Sequence, residues 1–333
     1  QANRAIGVKH RDNVILCTAC GTQQPKAGQD WFPLTVDYRE YTYAAGRYPG
    51  GFIKREGRPS EKEIISCRLI DRPIRPLFPE GYFNEVQLAN LVMSADPEFD
   101  PGPLAITGSA AALAISDIPF GHVLAGLRVA LVKGELVAIP TYAQTKEAEF
   151  HIVVAGTKDG IVMVEAGGKG ADEEGVLRCI EFGHECCKKL VAAIEELKAK
   201  AGKAKFAFTA PVVNQEMFAK IEQAVREELT DALNTEKYGK LESYARVDAA
   251  KKKAKALFTE EAEIEEAGDL FDRLKEKIFR DDMLVKRRRP DGREFTQVRA
   301  IDIEVGVLPR THGSALFQRG ETQALVTCTL GTK

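Results

Sequence analysis

The sequence lacks any apolar run of the roughly 18–20 residues that a membrane-crossing helix needs. It also lacks a basic-then-apolar leader at its start. Neither a secreted protein nor a membrane partner is expected. None of its seven cysteines has the spacing of a disulfide framework. Cys17 and Cys20 form one CxxC, and no second CxxC exists to complete a four-ligand zinc site. The pair lies in a strand-like run, Val14 to Cys20, where residues three apart face opposite sides of a sheet. Reduced thiols in a cytoplasmic protein are the expectation. An initiator Met is missing and the end at Gly331-Thr332-Lys333 is abrupt, so a fragment of a longer protein is expected.

What is present is a soluble globular composition: 333 residues, 44% hydrophobic and 29% charged, enough for two or more domains. The formal net charge is −2, yet Arg47 to Phe78 carries eight Lys or Arg against four acids, a local +4. Fixed positive charge at that density points to phosphate or nucleic acid. Tyr48-Pro49-Gly50-Gly51 and Gly57-Arg58-Pro59 are turn signals. Between them Phe52, Ile53, Lys54 and Arg55 are expected at the tip of an exposed loop. A ring for a base beside cations for phosphates suits single-stranded nucleic acid. The plain alternative is a solvated loop with one buried Phe.

Ser60 and Glu63 have capping-box spacing and predict a helix start. Ile64, Ile65 and Leu69 are expected on its apolar face, and Pro73 is expected to end it near Asp71. Arg68 and Arg72 are four apart and share a side, and Arg75 follows on a turn. Three guanidiniums there can fork onto phosphate oxygens. The alternative is a helix end with Arg72 paired to Asp71 or the acids before it.

The remaining order is strands over 4–22 with a turn at Arg11-Asp12-Asn13, a strand over 33–38, and a buried strand over 85–95. An Ala-rich helix follows Pro101-Gly102-Pro103, then hairpins turning at Lys133-Gly134 and Lys158-Asp159-Gly160. A long helix opens at Asp172 and stops at Gly202. That order is α+β rather than strict βα alternation. From about Pro211 the charge rises, and Met217, Ile221, Val225 and Leu229 repeat at four, as do Leu270, Leu274 and Ile278, predicting three or four short amphipathic helices. The domain division reads 1–202, 203–283 and 284–333, with Lys286 to Arg293 a basic linker. An internal repeat links Gly320 to Thr332 with Arg11 to Thr22, allowing one inserted residue.

GGFIKREGRPSEKEIISCRLIDRPIRPLFPEGYFNEVQ closely resembles the first RNase PH-like domain of the polynucleotide phosphorylase family, and GVLPRTHGSALFQRGETQALVTCTLGT the opening of that family's second RNase PH-like domain. The segment between them is similar to the family's all-helical domain. The resemblance implies a phosphate-dependent 3′-to-5′ exoribonuclease that releases nucleoside diphosphates from single-stranded RNA. It implies a homotrimeric ring, Mg2+ and inorganic phosphate as co-reactants, and a place in RNA-degradation complexes. The family loop usually reads Phe-Phe-Arg-Arg where this chain has Phe52-Ile53-Lys54-Arg55, so one ring and one planar fork are lost. The family's RLIDRPIRP arginines fall on Arg68, Arg72 and Arg75.

By the same resemblance the catalytic serines, aspartates and lysine belong to the second copy, beyond these residues, and so does the metal site. The first copy offers Pro101-Gly102, Thr145, His151 and Val153 in the corresponding places, so no catalytic or metal residue is expected here. His151 and His312 read as structural, and Gly167-Gly168-Lys169-Gly170 lacks a P-loop ending. The alternative function is a non-catalytic RNA-binding ring subunit of an exosome-like assembly.

Overall fold

The computed structural model describes residues 2–26, 29–210 and 212–331. Pro211, where the composition changes, and Thr332, at the end of the repeat, lie outside them. Contacts divide the chain into two compact units, Gln1–Pro211 and Val212–Lys333.

Unit 1 holds two four-stranded sheets. The first contains β1 (Arg4–His10), β2 (Asn13–Gly21), β3 (Leu34–Glu40) and β4 (Val86–Ser94) in the order β1-β2-β4-β3. Only the β3–β4 pair is parallel. The second contains β5 (Ala125–Val132), β6 (Glu135–Ala138), β7 (Phe150–Gly156) and β8 (Ile161–Gly168) in the antiparallel order β6-β5-β7-β8. Both hairpins turn where the Gly signals place them.

One helix, α2 (Gly102–Ile115), packs against both sheets and is buried along almost its whole length. Its sequence explains this. Ala105, Ala110 and Ala112 join the core of the first sheet, and Ala111 and Ala114 that of the second. Gly108 crosses the hairpin so closely that a Cβ there would overlap Cys17 Sγ and lie 3.0 Å from Val8 Cγ2. The buried polar groups are paired: Ser109 Oγ donates to Asn90 Oδ1 at 2.7 Å, and Thr107 Oγ1 to the Gly126 carbonyl at 2.9 Å. After the short helix α3 (Tyr142–Glu147), helix α4 (Glu173–Ala201) is capped by Asp172 and lays Cys179, Cys187, Val191 and Ile194 on the second sheet.

Cys17 is fully buried on β2 while Cys20 lies on the opposite face, and burial pushes the Cys17 thiol up to about 12. All seven cysteines are unpaired.

After α4 the chain stays on unit 1. Phe206 and Phe208 pack against the first core, and Lys205 Nζ donates to the carbonyls of Leu113, Ala114 and Ser116 at the end of α2. The break in contacts therefore falls at 211/212 and not at the expected 202/203.

Among the described residues unit 2 has three helices, α5 (Gln215–Ala232), α6 (Lys240–Lys255) and α7 (Glu261–Leu284), each longer than the short segments expected. Met217, Ile221, Val225 and Leu229 bury against Leu270, Phe271, Leu274 and Ile278. The same unit includes the sheet β9 (Ile301–Val305), β10 (Gly313–Arg319) and β11 (Thr322–Cys328), so no break in contacts marks 283/284.

Candidate nucleic-acid interface

Residues 47–58 form an open loop between β3 and the first helix, α1 (Glu61–Ile74). Both ends of the loop are anchored. Glu56 accepts from the Thr42 backbone N–H at 2.9 Å and the Thr42 hydroxyl at 2.7 Å, and Arg39 Nη2 donates to the Gly57 carbonyl at 3.2 Å. The tip is not packed. Phe52 is 101% exposed and Ile53 76%. An apolar side chain has no folding reason to stand in water at a loop tip, so the tip reads as a contact surface. Lys54 has a positive φ of 53° and holds its ammonium 5.2 Å from the centroid of the Tyr48 ring.

Arg47, Arg55 and Arg58 are exposed and have no partner among the described residues, while the only loop carboxylate, Glu56, is occupied by Thr42. The loop thus presents unneutralised cations beside two exposed rings, Phe52 and Tyr48. In the sequence Tyr48 is part of a turn signal. Its position six residues before Lys54 and its aromatic character were the available signs of a second ring.

The α1 region follows the capping-box prediction. Ser60 Oγ accepts from the Glu63 N–H, and Glu63 Oε2 accepts from the Ser60 N–H at 2.6 Å. Glu63 also accepts from the Glu40 N–H at 2.9 Å. Burial alone would raise the Glu63 carboxyl, but these backbone bonds and the Arg39 guanidinium outweigh it and hold the group below its ordinary range.

Two expectations for this helix are corrected. Its buried face is Leu69, Ile70, Pro73 and Ile74, with Glu63 and Ser66; Ile64 and Ile65 are more than half exposed. The helix also continues through Pro73 to Ile74, because the Arg75 N–H closes onto the Asp71 carbonyl and the Arg75 side chain grips the Asp71 carboxylate.

That grip also corrects the phosphate-site reading for Arg75. Its Nε and Nη2 donate to Asp71 at 3.0 and 2.7 Å, Nη1 to the Phe32 carbonyl and Nη2 to the Leu34 carbonyl, both at 3.1 Å. Every guanidinium nitrogen is used, so Arg75 is a clamp between α1 and the start of β3. Arg72 pairs with Glu165 on β8, both about half exposed. Arg68 is exposed and unpartnered among the described residues. Of the three guanidiniums, Arg68 is free, Arg72 shares an exposed pair that an anion can compete for, and Arg75 is committed.

The positions expected to correspond to the family's catalytic region are occupied by groups with other duties. Gly102 N–H donates to Asp100 Oδ1 at 3.1 Å, and the Thr145 hydroxyl to the Thr141 carbonyl at 2.9 Å. Val153 is buried. His151 is pushed down by burial and then by Arg128, and its ring lies over Gly167, where a Cβ would come within 2.9 Å. A neutral, packed imidazole does not serve as a cation for phosphate.

A charged cluster nearby, missed in the sequence, neutralises itself. Asp100 binds Arg128 at 2.9 Å and Lys62 at 3.5 Å, Lys62 binds Glu40 at 2.8 Å, and Tyr38 donates to Glu40 at 2.7 Å. These residues do not fit a magnesium site, whose carboxylates must be open to the ion. In unit 2, His312 Nδ1 accepts from the Leu330 N–H at 2.9 Å, which ties the segment before β10 to the segment after β11.

Comparison with known proteins gives three family matches. Residues 1–119 and 297–333 match the model described as 3′ exoribonuclease family, domain 1, and residues 122–186 match domain 2 of the same family. Residues 216–294 match polyribonucleotide nucleotidyltransferase, RNA binding domain. The polyribonucleotide nucleotidyltransferase of Solibacter usitatus is 61% identical over all of this chain and 47% of its own length. That of Koribacter versatilis is 51% identical over all of this chain and 41% of its own length. The chain thus spans about half the length of the curated relatives it matches. A crystal structure of rice (Oryza sativa) Rrp46 is 15% identical, with a TM-score of 0.47, over 60% of this chain and 87% of that one.

Proposed function

The chain belongs to the 3′ exoribonuclease family, joined to a polyribonucleotide nucleotidyltransferase RNA binding domain, and on that premise we propose that it is the RNA-gripping part of a phosphorolytic 3′-to-5′ exoribonuclease. The observation that carries the reading is the tip of the 47–58 loop, where Phe52 and Ile53 stand in water beside Lys54 and Arg55. In the reaction an oxygen of inorganic phosphate attacks the phosphorus of the last phosphodiester. The bond to the 3′ oxygen of the preceding nucleotide breaks, that oxygen takes a proton, and a nucleoside diphosphate leaves. The enzyme's task is to hold the strand in line and to stabilise charge on the transferring phosphoryl group.

In this chain Phe52 and Tyr48 offer ring faces for bases, Lys54 and Arg55 bind the backbone, and Arg68 with Arg72 meets phosphate. Magnesium, when bound, would stabilise charge on the phosphate oxygens. On this reading its site belongs to the second copy, and the first-copy carboxylates of Glu40 and Asp100, already paired with Lys62 and Arg128, do not fit it. Assembly as a homotrimer, within a larger RNA-degradation complex, and a cytoplasmic location belong to the same proposal. The location is supported by the seven unpaired thiols.

The test is RNA binding and product release by the 333-residue chain. A 5′-labelled single-stranded RNA should bind with an affinity that falls steeply with salt. Phe52→Ala should weaken it by about 1–2 kcal/mol, the loss of one stacked base, without changing stability. Phosphate should release no diphosphate from this chain alone. Rapid phosphorolysis by it would overturn the silent first copy, and an unchanged affinity in Phe52→Ala would remove the loop from the RNA path.

A further inference from the structure

Unit 2 carries a second basic surface that neither the loop nor the phosphate site accounts for. It is an open cleft of about 650 Å³ where the start of α6, the end of α7 and the tip of the β10–β11 hairpin meet. Lys240, Arg299 and Arg319 line it, with Glu321 the one unpaired acid. Neither guanidinium has a hydrogen-bond or ion-pair partner among the described residues, and both are exposed. The other charges at the cleft cancel, since Arg293 Nη2 binds Asp291 at 2.7 Å. Two large rings stand at its wall: Tyr244 is 56% exposed and Phe279 44%. Lys240 holds its ammonium 5.9 Å from the Tyr244 centroid.

Each of these features has a bland account when taken singly. Surface arginines are ordinary, and a half-exposed ring on a helix is common. Their coincidence is less so. Three cations face one free carboxylate in a concavity that also exposes two ring faces. A cationic or purely apolar ligand has nothing to gain there, and a carboxylate-rich one leaves the two rings unused. A strand with an anionic backbone and flat bases matches both sets of groups.

We propose that this cleft is a second contact for single-stranded RNA, with Arg299 and Arg319 on successive phosphates and a base against Tyr244 or Phe279. The inference rests on the RNA reading above but uses none of the loop residues. It deepens the function of unit 2 from a helical module that binds RNA to one with a named track.

The experiment measures anisotropy of a labelled 12-nucleotide single-stranded RNA on the full chain across a salt series. The chains compared are the parent, Arg299→Gln with Arg319→Gln, and the loop variant Phe52→Ala with Arg55→Gln. Loss of two phosphate contacts should raise Kd about five- to tenfold at moderate salt and lower the log–log salt slope by about 1.4. Tyr244→Leu should weaken binding while Tyr244→Phe should not. Arg299 lies against Gly320, so Arg319→Gln alone, which removes an exposed and unpartnered group, is measured as well and should lower the slope by about 0.7. Parent-like Kd and slope in both cleft variants, with binding lost only in the loop variant, would overturn the cleft and leave the loop intact. Binding lost only in the cleft variants would do the reverse.

Discussion

Arg75 separates a binding role from a structural one, and its substitution gives opposite results under the two. In the structure its guanidinium makes four hydrogen bonds: two to Asp71 and two to the carbonyls of Phe32 and Leu34. The Asp71 pair is partly exposed, 41% at Arg75 and 26% at Asp71, so solvent screening leaves it about 0.5 kcal/mol. The two carbonyl bonds come from a charged donor and bridge residues more than 40 positions apart. With the same screening they contribute about 1 kcal/mol each. Arg75→Ala should therefore cost about 2–3 kcal/mol, or roughly 5–10 °C in the Tm of a unit this size.

Arg75→Lys should recover little, because one ammonium cannot fork onto Asp71 and still reach both carbonyls. Arg68→Ala, at an exposed and unpartnered position, should stay within about 0.5 kcal/mol of the parent. Urea unfolding followed by far-UV circular dichroism checks this. The single tryptophan, Trp31, next to Phe32, supplies a second probe within unit 1. The clamp is refuted if Arg75→Ala unfolds with the parent's midpoint while its phosphate or RNA affinity falls tenfold.

Two further outcomes follow from the packing of unit 1. Gly108→Ala should destabilise by about 1–3 kcal/mol despite the better helix propensity of Ala, because the new methyl group overlaps Cys17 Sγ. Removing that sulfur with Cys17→Ala should make the double variant about 1 kcal/mol more stable than the sum of the singles, and strict additivity in the cycle would rule out the contact. Glu63 gives a pH dependence. Its folded carboxyl lies below the usual 4.5, so its contribution is complete above about pH 4.5 and is lost as pH falls through the lower folded value. Urea midpoints measured between pH 7 and pH 3 should fall less steeply in Glu63→Gln than in the parent; parallel profiles would show that Glu63 is not the group titrating.

Periodicity and turn chemistry carried most of the fold. The hairpins of unit 1 turn where their glycines predict, and the four-residue repeats of α5 and α7 bury the residues that the pattern selects. The misreadings cluster on α1. Counting apolar residues chose Ile64 and Ile65, whereas the helix buries Glu63 and Ser66 at that level. A carboxylate can go inside when backbone N–H groups from two elements meet it, and the second element, β3, is more than twenty residues away. Pro73 looked terminal because its rule concerns local geometry, while the turn after it is held by Arg75.

Weighing guanidiniums against carboxylates alone does not anticipate the partners of Arg75. The backbone carbonyls that occupy it belong to Phe32 and Leu34 and carry no mark in a charge count. The loop tip was legible for the opposite reason: its residues touch almost nothing, so no distant partner could change their meaning.

The internal repeat shows how far local sequence alone sets geometry. The β1–β2 hairpin pairs Arg4 with Ala19, and the β10–β11 hairpin pairs Gly313 with Cys328. Adding 309 to each residue of the first pair gives the second, and the same offset carries Asn13 to Thr322, where the second strands begin. The inserted residue of the repeat therefore falls after the paired region. Both two-residue turns start at a positive φ, 53° at Arg11 and 59° at Gly320. The shared register follows from the shared turn position and strand pattern. Arg11 holds the strained position with its guanidinium 4.8 Å from the Phe99 ring, a compensation that Gly320 does not need. Arg319 takes the place of His10 in the second hairpin and stands exposed and unpartnered among the described residues beside its turn, where it is available to a ligand.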